Sequence, residues 1–124
     1  FVAANAFDFL REKAAGEEKW DVVILDPPAF TKSRSAVAAA ERGYKEINLR
    51  GLKLLRDGGY LVTCSCSQHM LPGQFREVIY AAARDAHVRL IQVEWRTQGR
   101  DHPILVAAPE TQYLKCGIFR VEKD

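Results

Sequence analysis

Trp20-Asp21-Val22-Val23-Ile24-Leu25-Asp26-Pro27-Pro28-Ala29-Phe30 is the stretch whose reading decides the fold. Its first six residues are mostly apolar and β-branched, with no alternation of polar and apolar side chains, which is how a central strand of a parallel sheet reads. Asp26-Pro27-Pro28 must end that strand, because proline has no N–H to give to a ladder.

Working downstream, a polar loop from Thr31 to Ser35 leads into Val37, Ala40, Tyr44, Ile47, Gly51 and Leu54. These fall three or four residues apart and form one face of a long helix. Lys53 and Arg56 suit its last turn and Asp57-Gly58-Gly59 supplies a left-handed stop, so the helix is expected to end at about Arg56. Tyr60 to Cys64 reads as a second buried strand. Pro72 opens another helix, whose stripe is Phe75, Val78, Ile79, Ala82 and Ala86. Val88 to Trp95 and Gln112 to Val121 read as strands, separated by a long loop from Arg96 to Thr111. Upstream, Phe1 to Ala4 reads as a strand end, and Phe7, Leu10 and Ala14 have helical spacing up to Gly16.

Strand, helix, strand, helix, strand predicts an α/β, doubly wound, Rossmann-like layer with helices on both faces. The sheet should be mostly parallel with an antiparallel C-terminal hairpin. A chain of 124 residues, 48% hydrophobic and 27% charged, fits one ordinary domain. The net charge of +2 does not by itself announce a nucleic-acid binder. Three cysteines without framework spacing and no long apolar run argue against a disulfide scaffold or a membrane span, and make a reducing cytoplasm the simplest home. The chain opens without methionine on a strand end that has no partner, so it is expected to be part of something longer.

Open α/β sheets bind ligands beyond the carboxyl ends of their strands. Asp26 and Cys66 each end a strand there, and the two strands are expected to be neighbours. Two prolines hold φ at about −65° and make Asp26 a rigidly presented carboxylate, although the same residues also make a plain turn. Cys66, in Thr63-Cys64-Ser65-Cys66-Ser67, is a candidate nucleophile at the strand's mouth, while Cys64 inside the strand reads as an inert core thiol. Zinc is disfavoured, because Cys64 and Cys66 make two ligands, His69 adds only a third, and Cys116 has no close partner. His69 is a candidate for proton transfer, against a bland reading that also covers His87 and His102. Lys32, Arg34, Arg42, Lys45, Arg96, Arg100 and His102 could line a cleft for a phosphate backbone, or be solvated surface charges. Trp20 and Trp95 read as packing.

The line from Asp21 through Asp26-Pro27-Pro28-Ala29-Phe30-Thr31-Lys32-Ser33, then Arg42-Gly-Tyr-Lys-Glu-Ile-Asn48-Leu, then Gly59-Tyr-Leu-Val-Thr-Cys-Ser-Cys66-Ser resembles the RlmI-like 23S rRNA cytosine-5 methyltransferases. Asp101-His102-Pro103 and Glu110-Thr-Gln-Tyr-Leu-Lys-Cys116 are similar to that family's tail.

The resemblance implies the C-terminal half of a class I methyltransferase sheet, a partial catalytic domain over residues 1–124. The family's glycine-rich S-adenosylmethionine loop and its upstream RNA-binding domain have no counterpart in the sequence. It implies Cys66 and Asp26 as catalytic residues, Pro27, Pro28, Phe30 and Lys32 as substrate-binding, and Asn5, Ala6 and Phe7 as cofactor-binding. The cofactor would be S-adenosylmethionine and the partner ribosomal RNA. Two departures stand out. The family usually has Asp where this chain has Asn5, whose amide oxygen could still accept from adenine. Related enzymes often carry a second cysteine after the proline pair, where this chain has Ala29, so elimination needs another base or water.

Two other readings follow from the same residues. An exocyclic-amine methyltransferase would use Asp26-Pro27-Pro28 without a nucleophile, though Ala29 intervenes before the aromatic. Alternatively, the chain alone is inactive and self-associates through an exposed Trp20–Leu25 strand edge.

Overall fold

The computed structural model describes residues 1–30 and 33–124. Among them, helix α1 spans Ala6–Ala14, strand β1 Trp20–Leu25, α2 Val37–Leu54, β2 Leu55–Ser65, α3 Pro72–Asp85, β3 Val88–Arg96 and β4 Lys115–Lys123. Short 3-10 turns at Arg34–Ala36 and Pro109–Thr111 interrupt the two long connections. Phe1 to Ala4 is not a strand. It lies exposed, with no neighbouring strand to pair with among the described residues.

The sheet order is β1-β2-β4-β3. β1 runs parallel to β2, and β4 runs antiparallel to both β2 and β3. Three of the four strands therefore point the same way, with β4 reversed between β2 and β3. The mostly parallel mixed sheet with its C-terminal hairpin is as expected. β3 and β4 also match their expected positions closely, β4 starting three residues later, at Lys115.

The helices depart from expectation. α1, α2 and α3 contact one another in a row, and their buried residues share two core clusters with one side of the sheet. All three lie on one face. Both crossovers, β1-α2-β2 and β2-α3-β3, step in the same direction across the sheet, and right-handed crossovers that step the same way cover the same face. Helices reach the second face only where the strand order reverses, which does not happen between β1 and β3.

As a result β1 is an edge strand here, not a central one. Its Leu25 is buried under α2, while Val22 is 50% and Ile24 67% exposed on the side without helices. β2 shows the same division. Gly59, Leu61, Thr63 and Ser65 face the helices and are buried, whereas Tyr60, Val62 and Cys64 face outward. The apolar residues that suggested burial on both sides are thus half covered. No helix among the described residues is long and apolar enough to cross a membrane.

α2 stops two residues early, at Leu54, because Leu55 is drawn into the core and pairs with Trp20. The next matched pair is Val22 with Tyr60, so Arg56 to Gly59 bulge out between the two. Gly58 takes the left-handed conformation there, with φ of +78°. Gly59 is pressed against the neighbouring strand. A Cβ at this position would lie 2.9 Å from the Asp21 carbonyl oxygen and 3.0 Å from that of Arg56. Backbone cannot give way as a side chain can, so Gly59→Ala is expected to destabilise the fold by about 1–3 kcal/mol, measured by urea unfolding.

Candidate active site

The C-terminal rim of the sheet collects the residues singled out in the sequence. Leu25 pairs with Thr63, which sets Asp26, the next residue of its strand, level with Cys64. Cys66 follows two residues further along the same rim. The thiol of Cys64 feels the charges of both Asp26 and Cys66, so the three groups lie within electrostatic reach of one another. Asp26 is exposed and Cys66 half-buried.

Cys64 and Cys116 are directly opposite in the ladder and hydrogen-bond through their thiols, so Cys116 does have a close partner. Burial, that hydrogen bond and the surrounding negative charges push the Cys64 thiol up to about 12. It stays neutral and unreactive at physiological pH. All three cysteines are free. Among the described residues no group of three or more His, Cys, Asp and Glu is arranged to hold a metal ion.

Beside Asp26 opens a cavity of about 470 Å³. Asn5, Ala6 and Phe7 line it together with Asp26, Pro27, Pro28 and Phe30, and Ile24, Leu25 and Ile47 also border it. The residues assigned to cofactor therefore share one hollow with Pro27, Pro28 and Phe30, three of those assigned to substrate. Asn5 has a second duty. It is the N-cap of α1, and its side-chain oxygen accepts from the Asp8 N–H at 3.2 Å. A larger hollow of about 590 Å³ lies between α3 and β3, but neither Asp26 nor Cys66 borders it.

Two buried residues hold the rim together, and the sequence reading assigned neither to the site. The Tyr44 hydroxyl, fully buried, receives hydrogen bonds from Ser65 Oγ at 2.9 Å and from the Phe30 backbone N–H. Burial raises its pKa, and the two hydrogen bonds partly oppose that. Its ring stands edge-on to Phe30 at 4.6 Å and to Phe75 at 5.5 Å. Tyr44 read as one member of a helical stripe, which it also is. Lys115, 1% exposed, donates from Nζ to the carbonyl oxygens of Ser67 at 2.5 Å and Tyr113 at 2.8 Å. Its signal was legible in the alternation of β4, where positions 115, 117, 119 and 121 all face the core.

Among the basic residues, Arg96 reaches the rim, at the C-terminal end of β3 and opposite Cys116 in the ladder. Lys32 lies outside the described residues, as does the side chain of Arg34. Arg42 lines a groove between α2 and α3, and Lys45 pairs with Asp85 at 2.6 Å. Arg96 pairs with Glu94, and His102 lies 3.3 Å from Asp101. These are surface pairs of the kind worth little individually. Trp95 packs its ring beneath the Arg76 guanidinium at 3.9 Å, and Trp20 packs against the core. His69 borders a hollow with Gln68, Pro72 and Glu110.

No family model matches the chain. The backbone resembles that of a Streptococcus mutans protein described as a SAM-dependent methyltransferase, with a TM-score of 0.80 at 20% identity over 96% of this chain and 30% of that one. A methyltransferase homologue from Pyrococcus horikoshii aligns with a TM-score of 0.64 at 17% identity, over 96% of this chain and 43% of that one. At these identities the likeness shows the fold. In sequence, a ribosomal RNA large subunit methyltransferase I from Yersinia pestis is 43% identical over 121 residues. A Methanocaldococcus jannaschii protein named as a ribosomal RNA large subunit methyltransferase is 39% identical over 122 residues. The chain spans 31% of the length of each. Along 98% of its own length, then, this chain is homologous to one part of the ribosomal RNA large subunit methyltransferase I proteins, and its backbone resembles a section of a Rossmann-like methyltransferase sheet.

Proposed function

We propose that these residues supply the base-binding and nucleophilic part of an enzyme that transfers a methyl group from S-adenosylmethionine to carbon 5 of a cytosine in ribosomal RNA. The observation that carries this reading is the convergence of Asp26 and Cys66 on one rim, beside the cavity lined by Asn5, Ala6 and Phe7. That cavity suits the adenosine end of the cofactor, being apolar at Phe7, Phe9 and Ile24 and polar at Asn5 and Asp26. The relatives' names and the methyltransferase fold support the same reading.

The Cys66 thiolate bonds to carbon 6 of a flipped-out cytosine, which makes carbon 5 nucleophilic. Asp26 hydrogen-bonds the ring and favours protonation at its nitrogen 3. Pro27, Pro28 and Phe30 wall the slot and help offset an unstacking cost of a few kcal/mol. Bound S-adenosylmethionine would supply an electrophilic methyl group. Once carbon 5 is methylated, a base takes its proton and the carbon–sulfur bond breaks, returning the electron pair to Cys66. Lys32 would contact the RNA from the loop after Phe30. A cytoplasmic site of action follows from the substrate.

The test is a mechanism trap. The full-length protein carrying these residues, incubated with cofactor and 5-fluorocytosine-substituted ribosomal RNA, should form a covalent adduct at Cys66. Cys66→Ala should abolish it and lower methylation by at least about a thousandfold. Full methylation by Cys66→Ala would instead establish transfer to an exocyclic amine, which needs no nucleophile.

The 124 residues alone are expected to be inactive. The cavity at Asp26 lies beside the free edge of β1, so only one side of a cofactor site is built, and the relatives are about three times as long. Calorimetric titration of the chain with S-adenosylmethionine should show no micromolar binding. That same free edge offers unpaired backbone groups beside exposed Val22 and Ile24, and a second copy of the strand satisfies both. In sedimentation at high concentration the chain should exceed its monomer mass of 14.0 kDa, and Ile24→Lys should return it there.

A further inference from the structure

The proposed reaction leaves one buried ionisable group unused. Lys115 sits at the start of β4, paired with Ser65 across the ladder, on the face that turns toward the helices. A lysine almost never goes fully inside without a partner, since removing an ammonium from water is costly. No carboxylate pairs with it among the described residues. Two of its three donors instead hold the carbonyls of Ser67 and Tyr113. Ser67 is the residue directly after Cys66, so the ammonium clamps the turn that carries the nucleophile. Ser65 Oγ accepts from the Ser67 N–H at 3.4 Å, and Ser67 Oγ accepts from the His69 N–H at 3.3 Å. The backbone on both sides of Ser67 is thus held by hydrogen bonds, immediately after the half-buried Cys66.

We propose that Lys115 is a positioning residue for Cys66: it fixes the backbone on the nucleophile's C-terminal side and presents a cation to its thiolate. This rests on the reading of Cys66 as nucleophile and adds the device that prepares it. Burial lowers the Lys115 pKa to about 8, and the negative charge of Cys66 opposes that fall. The amine therefore remains mostly charged at pH 7. Around the rim, Tyr44 from α2 also feels Cys66, while Asp26 from β1 and Cys116 from β4 bear on Cys64. Of these acidic groups, Cys66 is the one whose charge reaches Lys115.

The coupling is reciprocal, so it can be read from either side. Alkylation of the 124-residue protein by iodoacetamide at pH 7, followed peptide by peptide by mass spectrometry, reports on each cysteine. Lys115→Met should slow Cys66 roughly tenfold, and Lys115→Arg, which keeps the charge, should recover most of that loss. Equal Cys66 rates in all three proteins would overturn the proposal. Should Lys115→Met unfold, all three cysteines will react alike, and the second measurement decides. The ¹³Cε resonance of Lys115 is titrated in the unaltered chain and in Cys66→Ser, where the midpoint should fall. An unchanged midpoint refutes the coupling. Neither readout depends on methyl transfer, so failure here would leave the trapped-adduct test standing, and failure of that test would leave this coupling measurable.

Discussion

The arrangement of the rim depends on one buried oxygen. The Tyr44 hydroxyl accepts from Ser65, next to Cys66, and from Phe30, just past the proline turn. Two loops that leave different strands are tied to one point on a helix. Such a tie is strong because its alternative is poor: a phenol without partners in a dry interior forfeits hydrogen bonds that water would have made. Aromatic contacts carry the effect outward. Phe7, Phe30, Tyr44, Phe75 and Trp95 follow one another at centroid separations of 5.7, 4.6, 5.5 and 6.2 Å, from α1 across α2 and α3 to β3. The slot proposed for the base is therefore backed by a continuous row of rings.

Much of this was legible in the residues. The β1 strand, the stripe of α2, the proline start of α3 and the strand-end positions of Asp26 and Cys66 all follow from local pattern, because each reflects a short-range rule of spacing or stopping. What escaped were facts of long-range pairing. The apolar residues of β1 cannot say whether both faces are covered. The end of α2 moved from Arg56 to Leu54 because Leu55 gains more from burial beside Trp20 than from another helical turn. Cys116 looked partnerless until register set it opposite Cys64. Lys115 was passed over because a charged residue in a strand is ordinarily read as facing water, although its spacing from Gly117, Phe119 and Val121 pointed inward.

The one-sided helical layer explains how a cleft arises at the edge of this sheet. Both crossovers advance in the same direction, so the position where strand order could reverse lies beyond β1. In open α/β folds that reversal is where ligands lodge. The hollow formed by Asn5, Phe7 and Asp26 lies on that side of the sheet, next to the unpaired edge.

The ladder between β2 and β4 ends at Ser65 and Lys115, after pairing Cys64 with Cys116. Cys64 lies inside the ladder, hydrogen-bonded and neutral, and Cys66 lies one residue past its end. The two thiols share a residue type and stand two positions apart, so side-chain identity alone does not distinguish them. The length of the ladder does. Extending the pairing by one step would make Leu114 the partner of Cys66 and take that residue into the ladder. In this fold the point where two strands part decides which of the two cysteines lies inside the ladder, and it can be altered without changing either of them.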